Sequence, residues 1–196
     1  MLFKYKKIWL YLNLWRVIPA YLFLKSNKFK SKALKDFERW KEAMSTDYKT
    51  KSALLFFGYL ILYEKAFRNI FHNRLHRNPI MFLFAYIFFR PLDSLYINMP
   101  PENIGGGFYI QHGFSTIIAA KKIGENCSIN QQVTIGYNKS DAPIICNDCT
   151  ICAGAIVIGK TIVNDNTVIG AGAVVCKDTE KDSIMVGVPA KNIKNN

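Results

Sequence analysis

The sequence is poor in several things that would have assigned it quickly. It holds three histidines and five cysteines in 196 residues. An odd number of cysteines, three of them crowded at Cys146, Cys149 and Cys152, does not read as a disulfide framework and favours a reducing compartment. No signal peptide is recognisable, because the apolar stretch IWLYLNLWRVIPAYLFL is broken by Arg16 and Pro19 and no small-residue cleavage site follows. No later apolar block reaches the roughly 20 residues of a spanning helix; those at 53–63 and 80–89 are about half that length. Acid is scarce in the first half and arginine is absent from the second. Residues 1–100 carry 18 Lys+Arg against 6 Asp+Glu, and residues 101–196 carry 8 Lys, no Arg and 8 Asp+Glu, so the whole net charge of +12 lies in the first half.

That asymmetry points to an acidic surface met by the N-terminal half. Nucleic acid fits poorly, since the basic residues alternate with large apolar ones and no reader motif is present. Two readings remain: a helical cap whose apolar residues pack on each other or on a neighbouring subunit, and shallow contact with an anionic membrane surface. The half is helical in pattern. SKALKDFERWKEAM sets Leu34, Phe37 and Met44 on one face with Ser31 as a candidate N-cap, and Phe67, Ile70, Phe71 and Leu75 recur at helical spacing.

After Pro100-Pro101 the period changes to six. Ile104, Ile110, Ile117, Ile123, Ile129 and Ile135 follow one another with one extra residue near Thr116. The insertion GYNKSDAPI interrupts, and Ile145, Ile151, Val157, Val163, Ile169 and Val175 resume the beat. Two places before each aliphatic the residue is mostly small: Cys127, Val133, Cys149, Ala155, Thr161, Thr167, Ala173. This pattern fits a prism of short parallel strands, three hexads to a coil of roughly 18 residues, with the aliphatic inward and the small side chain beside the corner. The span 104–175 predicts roughly four coils.

GFYIQHG, TIG, CAGAIVIGK, VIGAGAVVCKD and VGVPAKNI resemble the hexapeptide signature of the left-handed β-helix acyltransferases, in the branch of the serine O-acetyltransferases and their relatives that acetylate surface polysaccharides. The resemblance covers about 104–194. It implies a mainly β fold: an α-helical, basic, aromatic-rich domain over 1–99 and a left-handed parallel β-helix over 100–196. It also implies an acetyl-CoA-dependent acyltransferase, and a homotrimer or a dimer of trimers with the donor in the groove between prisms. The cysteines and the charge asymmetry, for their part, lead to the expectation of a cytoplasmic protein, or one held peripherally at the inner membrane face.

His112 is the only histidine after residue 76 and stands at the family's general-base position. An acceptor hydroxyl attacks a thioester only if its proton leaves as the bond forms, and imidazole suits that task near neutrality. Gly113 and Gly136 are expected to leave room for substrate. The family orients this histidine with a carboxylate; Ile97 stands there without a gap and Asn98 with one residue deleted, and Glu102 is an alternative. Asn98 can accept the ring N–H but carries no charge. On the acceptor side the family's acid before the histidine is Gln111, and its Arg-His pair in the insertion loop is Asp141-Ala142. Gln111, Tyr137, Asn138 and Asp141 suit sugar hydroxyls better than a zwitterion, so a saccharide acceptor is expected ahead of serine, with a non-catalytic scaffold as the third reading. For acetyl-CoA the resemblance implies Gly136, Ala153, Ala171, Cys176 and Lys177, with Lys194, or Lys191, on a phosphate. The Cys146, Cys149 and Cys152 spacing suits zinc only superficially, because the hexad register separates the thiols; no metal is expected.

Overall fold

The computed structural model describes residues 2–44, 50, 52–139 and 141–194. Six helices come first: α1 (Leu2–Leu12), α2 (Leu14–Ser26), α3 (Lys30–Ala43), α4 (Ala53–Tyr63), α5 (Lys65–Leu75) and α6 (Pro79–Phe88). α4 is apolar on every side and buried from Phe56 to Leu62, so it forms the centre of the bundle. Gly58 lets α1 and α2 close on it; a Cβ there would stand 2.4 Å from Leu10 Cδ1 and 3.1 Å from Val17 Cγ1. Ser52 and Asn78 cap α4 and α6 by accepting from the Leu55 and Met81 amides. Two details of the sequence pattern are corrected. α3 starts at Lys30, so Ser31 lies inside it, and its buried face is Ala33, Asp36, Phe37 and Trp40 while Leu34 is exposed.

Part of the positive charge of this half turns inward. Arg68 donates to the carbonyls of Ile61 and Leu62 at the end of α4 and to that of Arg90. Arg16 donates to Phe88 O at the end of α6. Lys32 donates to the carbonyls of Pro101, Glu102 and Ile104. Cations at helix C-termini satisfy carbonyls that have no intrahelical donor and oppose the helix dipole.

The strands are two or three residues each. In chain order they are β1 (Leu95–Ile97), β2 (Tyr109–Ile110), β3 (Thr116–Ile118), β4 (Lys122–Ile123), β5 (Ser128–Ile129), β6 (Thr134–Gly136) and β7 (Ile144–Ile145). Then come β8 (Thr150–Ile151), β9 (Ile156–Ile158), β10 (Ile162–Val163), β11 (Val168–Ile169), β12 (Val174–Val175), β13 (Ile184–Val186) and β14 (Lys191–Asn192). They stack into three sheets, one per prism face: face A in the order β1-β3-β6-β9-β12, face B in the order β10-β7-β4, and face C in the order β14-β13-β11-β8-β5-β2. All pairs are parallel except β13 with β14, which covers the C-terminal edge of face C. The solenoid makes about five turns.

The inward aliphatics are the expected ones with one exception. Ile117 is 48 % exposed and Ile118 is fully buried, paired in register with Ile135. The corner from Ile110 to Ile118 is therefore two residues longer than a hexad step, and the next step is one shorter. The prism also begins earlier than the period suggests, since β1, upstream of Pro100, already pairs with β3. All seven small-place residues are buried, and the Cys127 and Cys149 thiols donate to corner carbonyls.

One buried ion pair joins the two halves. Arg74 on α5 donates to Asp36 on α3 at 2.8 and 3.3 Å, with both side chains at most 2 % exposed. Arg74 also donates to the carbonyls of Pro101, Ile104 and Gly105, and Asp36 accepts from the Phe108 amide. Replacing one partner leaves a buried charge without its counterion. Arg74→Met is expected to destabilise the protein by about 3–5 kcal/mol in chemical denaturation, and Asp36→Leu/Arg74→Met by less than Arg74→Met alone.

Candidate active site

His112 sits on the enlarged corner between faces C and A. In the ordinary coils below, the amides of Gly154 and Gly172 donate to the carbonyls of Gln131 and Ala153, and the Gln132 amide donates to Phe114 O. Phe114, Gln131, Ala153 and Ala171 thus form one vertical column, and His112 with Gly113 are the two residues inserted above it. Both inserted residues are left-handed, at φ 64° and 74°, and the next turn is completed by Ser115 at φ 51°. Left-handed backbone is costly for a residue with a Cβ. The imidazole is exposed, projected from a corner rather than packed in the prism.

Contrary to the expectation from sequence, Gly113 does not leave room for substrate; it is buried against the helices. A Cβ there would meet Ile110 Cγ2 and Leu95 Cδ2 at 3.0 Å and Ala66 Cβ on α5 at 3.2 Å. Space lies elsewhere. A cavity of about 600 Å³ beside the imidazole is lined by Gln111, Tyr109, Trp40, Met44, Lys6 and Glu64, among others. Its wall is fixed by Trp40, whose indole N–H donates to Phe108 O and whose ring meets Tyr109 edge-on at 4.8 Å. The other two histidines, His72 and His76, line a separate cavity of about 520 Å³ between α5, α6 and the first coil. Burial holds the His72 imidazole below its usual pKa, and its Nε2 lies 2.9 Å from Phe89 O.

Phe114 and Gln131 stand directly below His112, and from Ala153 downward the column is open. A Cβ on Gly172 would have no neighbour within 4 Å, and one on Gly154 would meet only Gly172 backbone at 3.8 Å. Ala153 and Ala171 flank these glycines at two and three strand spacings from β2, roughly 10 and 14 Å down the edge. The edge is therefore a strip of bare backbone leading away from the imidazole. Lys191 and Lys194 lie on and beyond β14, at the opposite end of face C from β2, and both are exposed.

The other expected residues lie on the opposite edge of face A. Asn98 follows β1 and its amide donates to Ile118 O; Gly136 ends β6, and Cys176 and Lys177 follow β12, at the same corner. A Cβ on Gly136 would meet nothing nearer than Thr134 Cγ2 at 4.0 Å. At the insertion Asn138 and Asp141 exchange backbone hydrogen bonds, with Asn138 Cβ resting over Gly159. Here a cavity of about 410 Å³ brings together Asn98, Tyr137 and Asp141 with Lys121 and Lys160. Within one chain, then, Asn98 does not meet His112. Nor do the cofactor residues form one group, since Ala153 and Ala171 share the edge of His112 while Gly136, Cys176 and Lys177 share that of Asn98. Glu102 is held by Arg77 at 3.0 Å.

Lys121 and Lys160 are the polar residues that sequence reading missed. A cation was sought only in the insertion loop, whereas these come from the coils above and below it. Their spacing, 20 residues from Lys121 to Asp141 and 19 from there to Lys160, is about one coil and was the available signal. Among the described residues no group of three or more His, Cys, Asp and Glu is placed to hold a metal ion. Burial pushes the Cys146 and Cys152 thiols up, away from the thiolate form a metal would need.

Gly113→Ala is expected to lower stability by about 1–3 kcal/mol, read by thermal unfolding, because the new methyl meets both a left-handed backbone and a closed interface.

No family model matches the chain. Serine acetyltransferases of Bacillus pumilus and Synechococcus elongatus are 36 % and 35 % identical to it over 97 residues, 47 % of this chain and 45 % and 40 % of those proteins. The chain thus spans less than half the length of these curated relatives. The crystal structure of Neisseria gonorrhoeae serine acetyltransferase in complex with serine matches over 87 % of this chain and 71 % of that one, with a TM-score of 0.64 at 25 % identity. Soybean serine acetyltransferase, at 21 % identity and a TM-score of 0.61, shares the fold over 88 % of this chain and 72 % of its own. Over its solenoid the chain is thus similar in sequence to serine acetyltransferases, and over most of its length it shares their fold of helices followed by a hexapeptide-repeat β-solenoid.

Proposed function

We propose that the protein transfers the acetyl group of acetyl-CoA to a hydroxyl, with His112 as general base. The observation that carries the reading is the imidazole on an inserted, left-handed corner at the head of a backbone-lined strip. In the reaction His112 takes the hydroxyl proton as the oxygen attacks the thioester carbonyl. The tetrahedral oxyanion collapses, the C–S bond breaks, and the imidazolium returns the proton to the departing thiolate. The products are an acetyl ester and free CoA thiol. The pantetheine arm would lie along Ala153, Gly154, Ala171 and Gly172, where no side chain keeps it from the backbone.

The two edges of face A carry complementary halves of this site, one with the base and donor strip, the other with Asn98, Gly136, Cys176 and Lys177. A head-to-tail ring of prisms would bring the first edge of one copy to the second edge of the next, and a rotation of one third of a turn between three-sided prisms would close it at three copies. A homotrimer is therefore part of the proposal, with Asn98 orienting the imidazole of a neighbouring subunit.

Serine is the acceptor supported by the relatives, which are serine acetyltransferases in both the sequence and the structure comparisons. The objection that a zwitterion would lack a cation is weakened by the cavity at the insertion. Asp141 supplies a negative pole for an ammonium group, and Lys121 and Lys160 supply positive poles for a carboxylate. A saccharide is the second reading, favoured by the neutral Gln111 beside His112 and by Asp141-Ala142 in the loop; no comparison supports it. Turnover of serine with acetyl-CoA, followed by thiol release, decides between them: turnover with serine is expected, and turnover with a sugar but none with serine would reverse the order.

His112→Ala is expected to lower kcat by about 10²-fold or more without loss of thermal stability, since the ring is exposed. Ala171→Gln, on an exposed position of the strip, is expected to raise KM for acetyl-CoA several-fold and to leave KM for the acceptor unchanged.

A further inference from the structure

The surface of the helical half has an unusual composition on one side. α6 is ten residues without a charge, and Ala85 is its only buried side chain. Ile80, Leu83 and Ile87 are 79, 58 and 61 % exposed. α2 sets Trp15, Ile18 and Leu22 on one exposed stripe, which α1 continues upstream with Ile8 and Leu12. The two stripes adjoin: Trp15 meets Phe88 edge-on at 5.4 Å, and Phe23 meets Phe84 at 5.3 Å. An apolar surface of this extent on helices that should show water a polar face marks an interface.

We propose that the joined face of α1, α2 and α6 lies in the headgroup region of an anionic phospholipid bilayer. Charge selects the occupant. These three helices contain no Asp or Glu, and Lys7 and Lys25 are exposed at the borders of the stripe, Lys25 over the Tyr21 ring at 4.6 Å. A second copy docked through the same face would set lysine against lysine with no acid in these helices to answer. Anionic headgroups answer it directly. Exposed Trp9, Trp15 and Tyr86 suit the polar–apolar boundary of a membrane, where an indole or phenol keeps its polar end wet. No helix among the described residues is long and apolar enough to cross a bilayer, so the contact is in-plane. The proposal is independent of the acceptor and of turnover.

The full chain would be floated with vesicles of phosphatidylcholine alone or mixed with phosphatidylglycerol, at low and high salt, while tryptophan emission is recorded. Binding to the mixed vesicles at low salt is expected, with release by salt and weak binding to phosphatidylcholine. Emission should shift to the blue, because Trp9 and Trp15 are half or more exposed while Trp40 is already buried. Leu83→Ser/Ile87→Ser, both on the surface, should reduce partitioning roughly tenfold or more with the circular dichroism spectrum unchanged. A chain that stays in solution beside the mixed vesicles at low salt overturns the proposal, as does a variant that binds as well as the parent. A parent that ignores vesicles and sediments at twice the mass of the variant assigns the face to a second copy instead.

Discussion

The contact between Arg74 and Asp36 is the constraint on which the geometry of the site depends. It is not a surface ion pair of small worth. Both groups are out of water, and their remaining hydrogen-bonding capacity is spent on the backbone between Pro101 and Phe108. That segment is the lead into the first complete coil, and it ends four residues before His112. Without an anchor, an end coil of a solenoid has a neighbour on one side only and should fray. Here the helices supply the missing neighbour: Asp36 and Arg74 hold the lead, Trp40 holds Phe108 O, and Ala66 closes on Gly113. The helical half is thus what fixes the inserted corner, and the corner is what carries the imidazole.

The strained corner and the plain coils beneath it divide the labour. In the lower coils a bare edge of alanine and glycine would give an extended thioester donor access to backbone. At the top, two extra residues lift a side chain out of the hexad register. A histidine kept within that register would have shared the column of Gln131 and Ala153; placed on the insertion, it overhangs the head of the strip. The same economy appears on the far edge, where one interrupted coil raises Tyr137 and Asp141 between two lysines. Neither edge is a complete site, and the chemistry proposed for the chain needs both.

The prism was legible because burial repeats with the chain's own period: every sixth side chain faces the same interior, so the sequence must repeat as well. The reading slipped where the pattern is degenerate. Ile117 and Ile118 are both aliphatic, and only the pairing of Ile118 with Ile135 tells which one turns inward. β1 was hidden because Tyr96 breaks its apolar character and the two prolines after it look like a boundary. The sequence offered candidate residues for the site but no geometry. Sequence alignment gives a position along the chain, and nothing in it says that Asn98 and His112 fall on opposite edges of one face. The basic excess hides two uses for a related reason. Arg16, Arg68 and Arg74 look like solvent-facing charge in the sequence but serve as donors to buried or terminal carbonyls, whereas Lys7 and Lys25 are exposed, and only the coordinates distinguish the two.

The claim most exposed to contradiction is that one working site draws on two copies. Two variants, His112→Ala and Lys121→Ala/Lys160→Ala, each impaired alone, can be unfolded, mixed in equal amounts and refolded together. Random assembly in a head-to-tail ring restores about one interface in four, so the mixture should regain roughly a quarter of wild-type turnover. A mixture no more active than the average of its two parents would contradict the account.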